Sequence, residues 1–260
     1  MEALRSVEVL NRWSDKLPTL TPTGLLEEAA LGAPVPTPSS VFAVGLNYRN
    51  HAEESKLAIP RVPMVFTKYP SCLVGARDDI VLRSDNVDYE VELVVVLSRG
   101  GKDISREHAW EHVLGLTVGQ DVSDRAAQLS QSPPQFNLGK SFDTFGPMGP
   151  TLVSVDSFAD PGALKIECRV NDELRQSDNT SDFIFDIPTL IAFLSGICTL
   201  QAGDVIFTGT PGGVGLPDRN FLKDGDLLTT SIEGIGSMTN RCVRGLDHAH
   251  ADFVPRQLQG

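Results

Sequence analysis

The chain has 260 residues (28.1 kDa), with 34 acidic against 22 basic side chains and a formal net charge of -12 at pH 7. That balance excludes a surface dominated by phosphate contacts, and with it nucleic acid as the main partner, but not a small anionic substrate held by a few local cations. Four scattered cysteines with no C-x-x-C pair, no basic leader and no apolar run long enough to span a bilayer predict a cytoplasmic protein with reduced thiols and no membrane partner.

Residues 1–38 are rich in proline and predict an arm or small subdomain with a short helix near Leu25–Leu31; 39–246 read as the main domain and 247–260 as a loose tail. Val41–Val44 is a predicted strand ending at Gly45. Asn47 or Asn50 can cap a short helix carrying His51 and Glu54, which share a face at i and i+3. A carboxylate beside an imidazole orients it and raises its basicity, as a general base requires, although an exposed His/Glu pair has the same spacing. The charged, proline-bounded stretch from His51 to Pro60 has the composition of a lid, and Met64–Lys68 is a predicted strand beyond it.

The stretch Asp88-Tyr89-Glu90-Val91-Glu92-Leu93-Val94-Val95-Val96-Leu97 places two carboxylates two residues apart in an apolar, β-branched run. Side chains at i and i+2 of a strand point to one face roughly 7 Å apart, so both can reach one ion between them. Buried, they repel each other, and a hard divalent cation such as Mg²⁺ or Mn²⁺ removes that cost; on an edge strand they would simply face water. Asp121, just past the apolar run Gly115–Gly119, can deliver a third carboxylate. Arg125 and Gln128 follow one and two turns on if Val122–Leu129 is helical, with a surface salt bridge the plainer fate for Arg125.

Between these lies His108-Ala109-Trp110-Glu111-His112, an inverted zinc-protease pattern on a helix predicted to be capped by Ser105. Such a site needs a further ligand from a second element, and the same residues serve as the outer face of an amphipathic helix. Lys140 lies among aromatics, glycines and prolines, either aimed inward or reaching solvent from a turn. From 151 to 245 the signals are mostly β, with a hairpin turn at Asn171–Leu174 and a helix from Ile187 to Leu200. Gly209-Thr210-Pro211-Gly212-Gly213-Val214-Gly215 lacks the spacing of a nucleotide loop; its N–H groups and Thr210 can grip a carboxylate or oxyanion, or form a plain turn.

Taken in order from about residue 40 to 245, five of these landmarks resemble the fumarylacetoacetate hydrolase family: Gly45-Leu46-Asn47-Tyr48 with His51 and Glu54; Asp88 to Leu93; Gln120 to Ser123 with Arg125 and Gln128; Gly139 to Thr144; and Gly209 to Gly215. The resemblance implies an α+β, mostly β catalytic domain, a mixed sheet rolled on itself with flanking helices, paired as a homodimer. It implies Glu90, Glu92 and Asp121 as Mg²⁺ or Mn²⁺ ligands, His51 and Glu54 as a dyad on a lid, Lys140 as a catalytic group, and Arg125, Gln128, Gly209 and Thr210 as substrate contacts. Long members carry another acidic ligand where this chain has Val44, which points to the short bacterial-type branch. The implied reaction is hydrolysis of a C–C bond in an acylpyruvate or fumarylpyruvate, giving pyruvate and an acid through a metal-stabilised enolate, of the kind used in aromatic catabolism. Oxaloacetate decarboxylation and hydroxydienoate isomerisation use the same logic. The segment Ser55–Pro63 and the loop Gln131–Gln135 are expected to shape the acyl end.

Overall fold

The computed structural model describes residues 31–245; the expected helix near Leu25–Leu31, most of the 1–38 arm and the 247–260 tail lie outside them. Strands dominate: β1 (Val41–Gly45), β2 (Met64–Lys68), β3 (Leu73–Val74), β4 (Ile80–Leu82), β5 (Val87–Asp88), β6 (Val91–Leu97), β7 (Val113–Gln120), β8 (Ser123–Asp124), β9 (Gly146–Val153), β10 (Lys165–Val170), β11 (Glu173–Asn179), β12 (Val205–Phe207), β13 (Leu227–Ile232) and β14 (Gly236–Arg244). Four α-helices intervene among the described residues: α1 (Arg49–Glu54), α2 (Arg125–Gln128), α3 (Phe136–Gly139) and α4 (Ile187–Ile197).

Seven strands form a mixed sheet in the order β2-β1-β12-β6-β7-β9-β3, curled on itself; β11-β10-β13-β14-β4 form a second sheet, and β5 pairs with β8. The fold is α+β and mostly β, as expected. Strand β6 lies at the centre of the first sheet and is buried throughout. Its odd positions Val91, Leu93, Val95 and Leu97 enter the larger core, which also takes in Ile166 and Leu228 of the second sheet and Leu190 and Leu194 of α4. Its even positions Val94 and Val96 join Val41, Ala43, Phe66, Val205 and Phe207 in a smaller cluster inside the curl. Glu92 has the parity of Val94, so the pleat that buries those valines also turns this carboxylate inward.

Elsewhere the local chemistry follows the sequence closely. Asn171 and Asp172, with φ of 49° and 67°, form a two-residue turn between β10 and β11, which requires positive φ at both places. The side chain of Asp186 caps α4 by accepting from the Thr189 N–H at 2.9 Å, with Pro188 in the first turn.

Candidate active site

The β6–β7 register sets Val91 opposite Gln120, so residues flanking that pair meet: Glu90 and Glu92 on one strand, Asp121 just past the end of the other. The Asp121 N–H donates to the Glu90 carbonyl at 2.9 Å, fixing the junction. All three carboxylates are buried, and each offers an oxygen within 4.8 Å of the others.

Three buried cations are laced through this cluster. Lys140 Nζ donates to Glu90 Oε2 and Asp121 Oδ2, both at 2.7 Å. Arg125 donates through Nε and Nη2 to Asp88 Oδ2 (2.9 and 2.7 Å), through Nη2 to Glu90 Oε1 (2.6 Å) and through Nη1 to Gln128 Oε1 (2.8 Å). Far from being a surface salt bridge, Arg125 is 6 % exposed and spends most of its donors on the protein's own carboxylates. The third cation, Lys68 at the end of β2, donates to Asp121 Oδ1 at 2.7 Å, to the Phe145 carbonyl at 3.1 Å and to the Lys140 carbonyl. Burial alone would raise the Glu90 carboxyl, but Lys140 and Arg125 outweigh it and hold the group down at about 2.

Glu92 is the exception. Its Oε2 accepts from the Gly209 N–H at 2.8 Å, yet among the described residues no lysine, arginine or histidine lies in ion-pair contact with it. Burial first, then Asp121 and Glu90, push its carboxyl well above the usual range. Three convergent carboxylates, one without a cation, form a hard-oxygen donor set that fits Mg²⁺ or Mn²⁺. The hydrogen bonds to Glu90 and Asp121 do not exhaust their oxygens, since an ionised carboxylate has about four acceptor positions.

Beside the carboxylates, His51 and Glu54 meet as expected, with His51 Nδ1 3.3 Å from Glu54 Oε2. The cap of α1 does not: Tyr48 holds that position with no side-chain bond. Asn47 instead ties the loops together, donating to the Thr208 carbonyl (2.7 Å) and the Phe185 carbonyl (3.0 Å) and accepting from the Phe185 N–H (2.8 Å). The Gly213 N–H donates to both Glu54 oxygens at 3.0 and 3.1 Å, so a relay from backbone to carboxylate to imidazole leaves Nε2 as the free ring nitrogen.

The Gly209–Gly215 segment does grip carboxylates, but they belong to the chain. Gly209 serves Glu92, Gly213 serves Glu54, and Gly215 N–H donates to Asp88 Oδ1 at 2.7 Å. Gly209 thus supports Glu92; its φ of +103°, and a would-be Cβ 2.6 Å from the Asn47 Cβ, explain why no side chain fits there. Thr210 accepts from Gln176 Nε2 at 2.9 Å. His51, Glu90, Arg125, Gln128, Lys140 and Thr210 line one cavity of about 200 Å³, with Ser55 and Leu57 also in its wall. Leu129 and Phe136 line it too, in place of the loop Gln131–Gln135 between them.

Residues 106–112 form a 3-10 helix rather than an α-helix, and Ser105 Oγ bonds His108 Nδ1 at 3.0 Å instead of capping the backbone. At three residues per turn, His108 and His112 do not share a face. Glu111 pairs with Arg99 at 2.7 Å and His112 Nδ1 meets the Arg99 carbonyl at 3.3 Å, so the zinc pattern is a solvated outer surface.

Lys68 is the site residue that the sequence hides. Burial opposes its charge, but Asp121 outweighs burial and holds the ammonium above its usual value. Lys68→Met is expected to cost about 3–5 kcal/mol in denaturant unfolding of the metal-free protein, because Asp121 and two carbonyls lose a buried partner. A loss below about 1 kcal/mol would show that Lys140 alone suffices for Asp121.

The chain is similar to known proteins in sequence and in fold. The model of the fumarylacetoacetate (FAA) hydrolase C-terminal family matches residues 40–243. Oxaloacetate tautomerase FAHD2B, mitochondrial, of Bos taurus is 46 % identical over 231 residues, covering 87 % of this chain and 74 % of the relative. Oxaloacetate tautomerase YisK of Bacillus subtilis is 47 % identical over 225 residues, covering 83 % and 74 %. Maleylpyruvate hydrolase from Sphingobium sp. SYK-6, solved with manganese (II) ion and pyruvate, superposes with a TM-score of 0.79 at 32 % identity, covering 94 % of this chain and 85 % of that one.

Proposed function

The chain belongs to the fumarylacetoacetate hydrolase family, and from that premise we propose that it is a Mg²⁺- or Mn²⁺-dependent hydrolase that splits a C–C bond in an acylpyruvate-type 1,3-dicarbonyl acid. The observation that carries this reading is an assembled His51–Glu54 pair whose imidazole lines the same cavity as Glu90 of the Glu90/Glu92/Asp121 cluster, a base beside a hard-cation site. The manganese and pyruvate of the maleylpyruvate hydrolase structure support both the metal and the keto-acid product.

Glu90, Glu92 and Asp121 would hold the divalent cation, which when bound would supply Lewis acidity to a keto acid. His51, oriented by Glu54, takes a proton from water through Nε2, and the hydroxide bonds to the distal acyl carbon. The bond from that carbon to C3 breaks, and its electron pair passes to C3, delocalised into the 2-keto group. The proton held by His51 goes to C3, so one water is consumed and pyruvate and a carboxylic acid leave. Lys140 has one N–H left after Glu90 and Asp121, and Gln128 and Thr210 face the same space; these hold the substrate in register.

The names of the relatives favour a second reading, oxaloacetate tautomerisation, which needs only the proton-transfer half of this machinery. Acetylpyruvate given to the Mn²⁺-loaded protein separates them. Equal amounts of pyruvate and acetate by chromatography support hydrolysis. Accelerated keto–enol relaxation of oxaloacetate without any product from acetylpyruvate would replace it with the second reading. A cytoplasmic homodimer is part of the same proposal, and sedimentation of the purified protein tests the dimer. Among the described residues no helix is long and apolar enough to cross a membrane.

A further inference from the structure

The cavity has two chemically distinct ends. At the buried one lie Glu90, Arg125, Gln128, Lys140 and Thr210; His51 and Ser55 also line the wall, and its remaining side chains are hydrocarbon, chiefly Leu57, Met64, Phe66, Leu129, Phe136 and Leu216. The two cations in the wall face carboxylates at its buried end, Arg125 pairing with Asp88 and Glu90, and Lys140 with Glu90 and Asp121. Among the described residues no other lysine or arginine lines the cavity. Leu57, Met64, Leu129 and Leu216 are at least 37 % exposed, apolar surface in the cavity wall that a bound hydrocarbon would cover.

We infer that the distal end selects an uncharged, hydrocarbon acyl group and rejects a second carboxylate, so that the substrates are alkyl or aryl acylpyruvates rather than dicarboxylic acids such as oxaloacetate or fumarylpyruvate. The inference rests on the keto-acid reading of the opposite end. A terminal carboxylate that reaches the exposed Leu57, Met64, Leu129 and Leu216 side chains sheds water and meets no cation among them, whereas each methylene that enters tightens binding about fourfold. Phe66 and Phe136, 5.5 Å apart between ring centroids, give that group an aromatic floor.

Calorimetric binding of 2-oxohexanoate and 2-oxoadipate to the Mn²⁺-loaded protein tests this without relying on turnover. The expected result is at least tenfold tighter binding of 2-oxohexanoate, and a narrowing or reversal of that preference in Met64→Arg, which sets a cation on that exposed surface. Equal or tighter binding of 2-oxoadipate by the unaltered protein overturns the inference. The parallel turnover assay uses hexanoylpyruvate and succinylpyruvate. If neither is cleaved while 2-oxohexanoate still binds preferentially, the hydrolytic reading fails and the apolar subsite stands. If both are cleaved with equal kcat/KM, the hydrolytic reading stands and the subsite does not.

Discussion

His51→Ala is expected to lower kcat for acylpyruvate cleavage by about a thousandfold while leaving Mn²⁺ affinity within a few-fold of the unaltered protein. The imidazole contacts Glu54 rather than any of the three convergent carboxylates, so its removal takes away the base and not the donor set. Glu54→Gln should lie between His51→Ala and the unaltered protein, because the imidazole keeps its place but faces an amide instead of a carboxylate, and the Gly213 N–H keeps an acceptor. Steady-state kinetics with calorimetric Mn²⁺ titration of each variant gives both numbers. A kcat within tenfold of normal for His51→Ala would remove this residue from the chemistry.

Glu92→Gln is expected to act in opposite directions on metal binding and on folding. Mn²⁺ affinity should fall more than a hundredfold, since the carboxylate without a partner cation is the one a divalent ion would most relieve. The metal-free protein should become no less stable at pH 8 and is expected to gain stability. In the folded chain, burial, Asp121 and Glu90 raise the Glu92 carboxyl, so the native state holds a proton that the unfolded chain releases near the ordinary carboxylate value. Stability contributed by this group is therefore present at low pH and declines as pH rises from the unfolded value to the raised one. Glutamine removes that decline and still offers the Gly209 N–H an oxygen. Urea unfolding of chelator-treated protein at pH 5 and pH 8 measures the difference, which should widen with pH. A variant less stable than the parent by more than about 2 kcal/mol at pH 8 would show that the Glu92 charge is compensated by something else.

Much of this site was legible before any coordinates because its chemistry is local in sequence. Glu90 and Glu92 two apart in an apolar run, and His51 and Glu54 three apart in a helix, carry their geometry in their spacing. Lys68 does not. Nothing in Met64–Lys68 distinguishes it from any lysine ending a strand; its role arises because the curl of the sheet brings the end of β2 against Asp121, 53 residues on and just past β7, which three strands separate from β2 in the sheet. The partners of the glycine loop are equally remote in sequence. Its N–H groups have the right chemistry for an outside anion, but the chain's own Asp88, Glu92 and Glu54 reach them first. At His108 and His112 the local signal was present but belonged to the wrong helix type, and three residues per turn dissolves an i, i+4 pair.

Strand β6 carries Glu92, with Glu90 just before its start, and is also the seam between the two hydrophobic clusters, with one set of side chains in each. Its amides can therefore exchange hydrogen with solvent only when both clusters come apart together, which for a central strand approaches complete unfolding. The amides of Leu93 to Val96 should be among the slowest in the protein to take up deuterium, whereas those of Ser55 to Val62, where Leu57, Ile59 and Val62 lie open to water, should exchange within the earliest time points. A molecule built this way keeps its ion-holding framework rigid on the timescale of catalysis and confines breathing to the entrance through which substrate must pass.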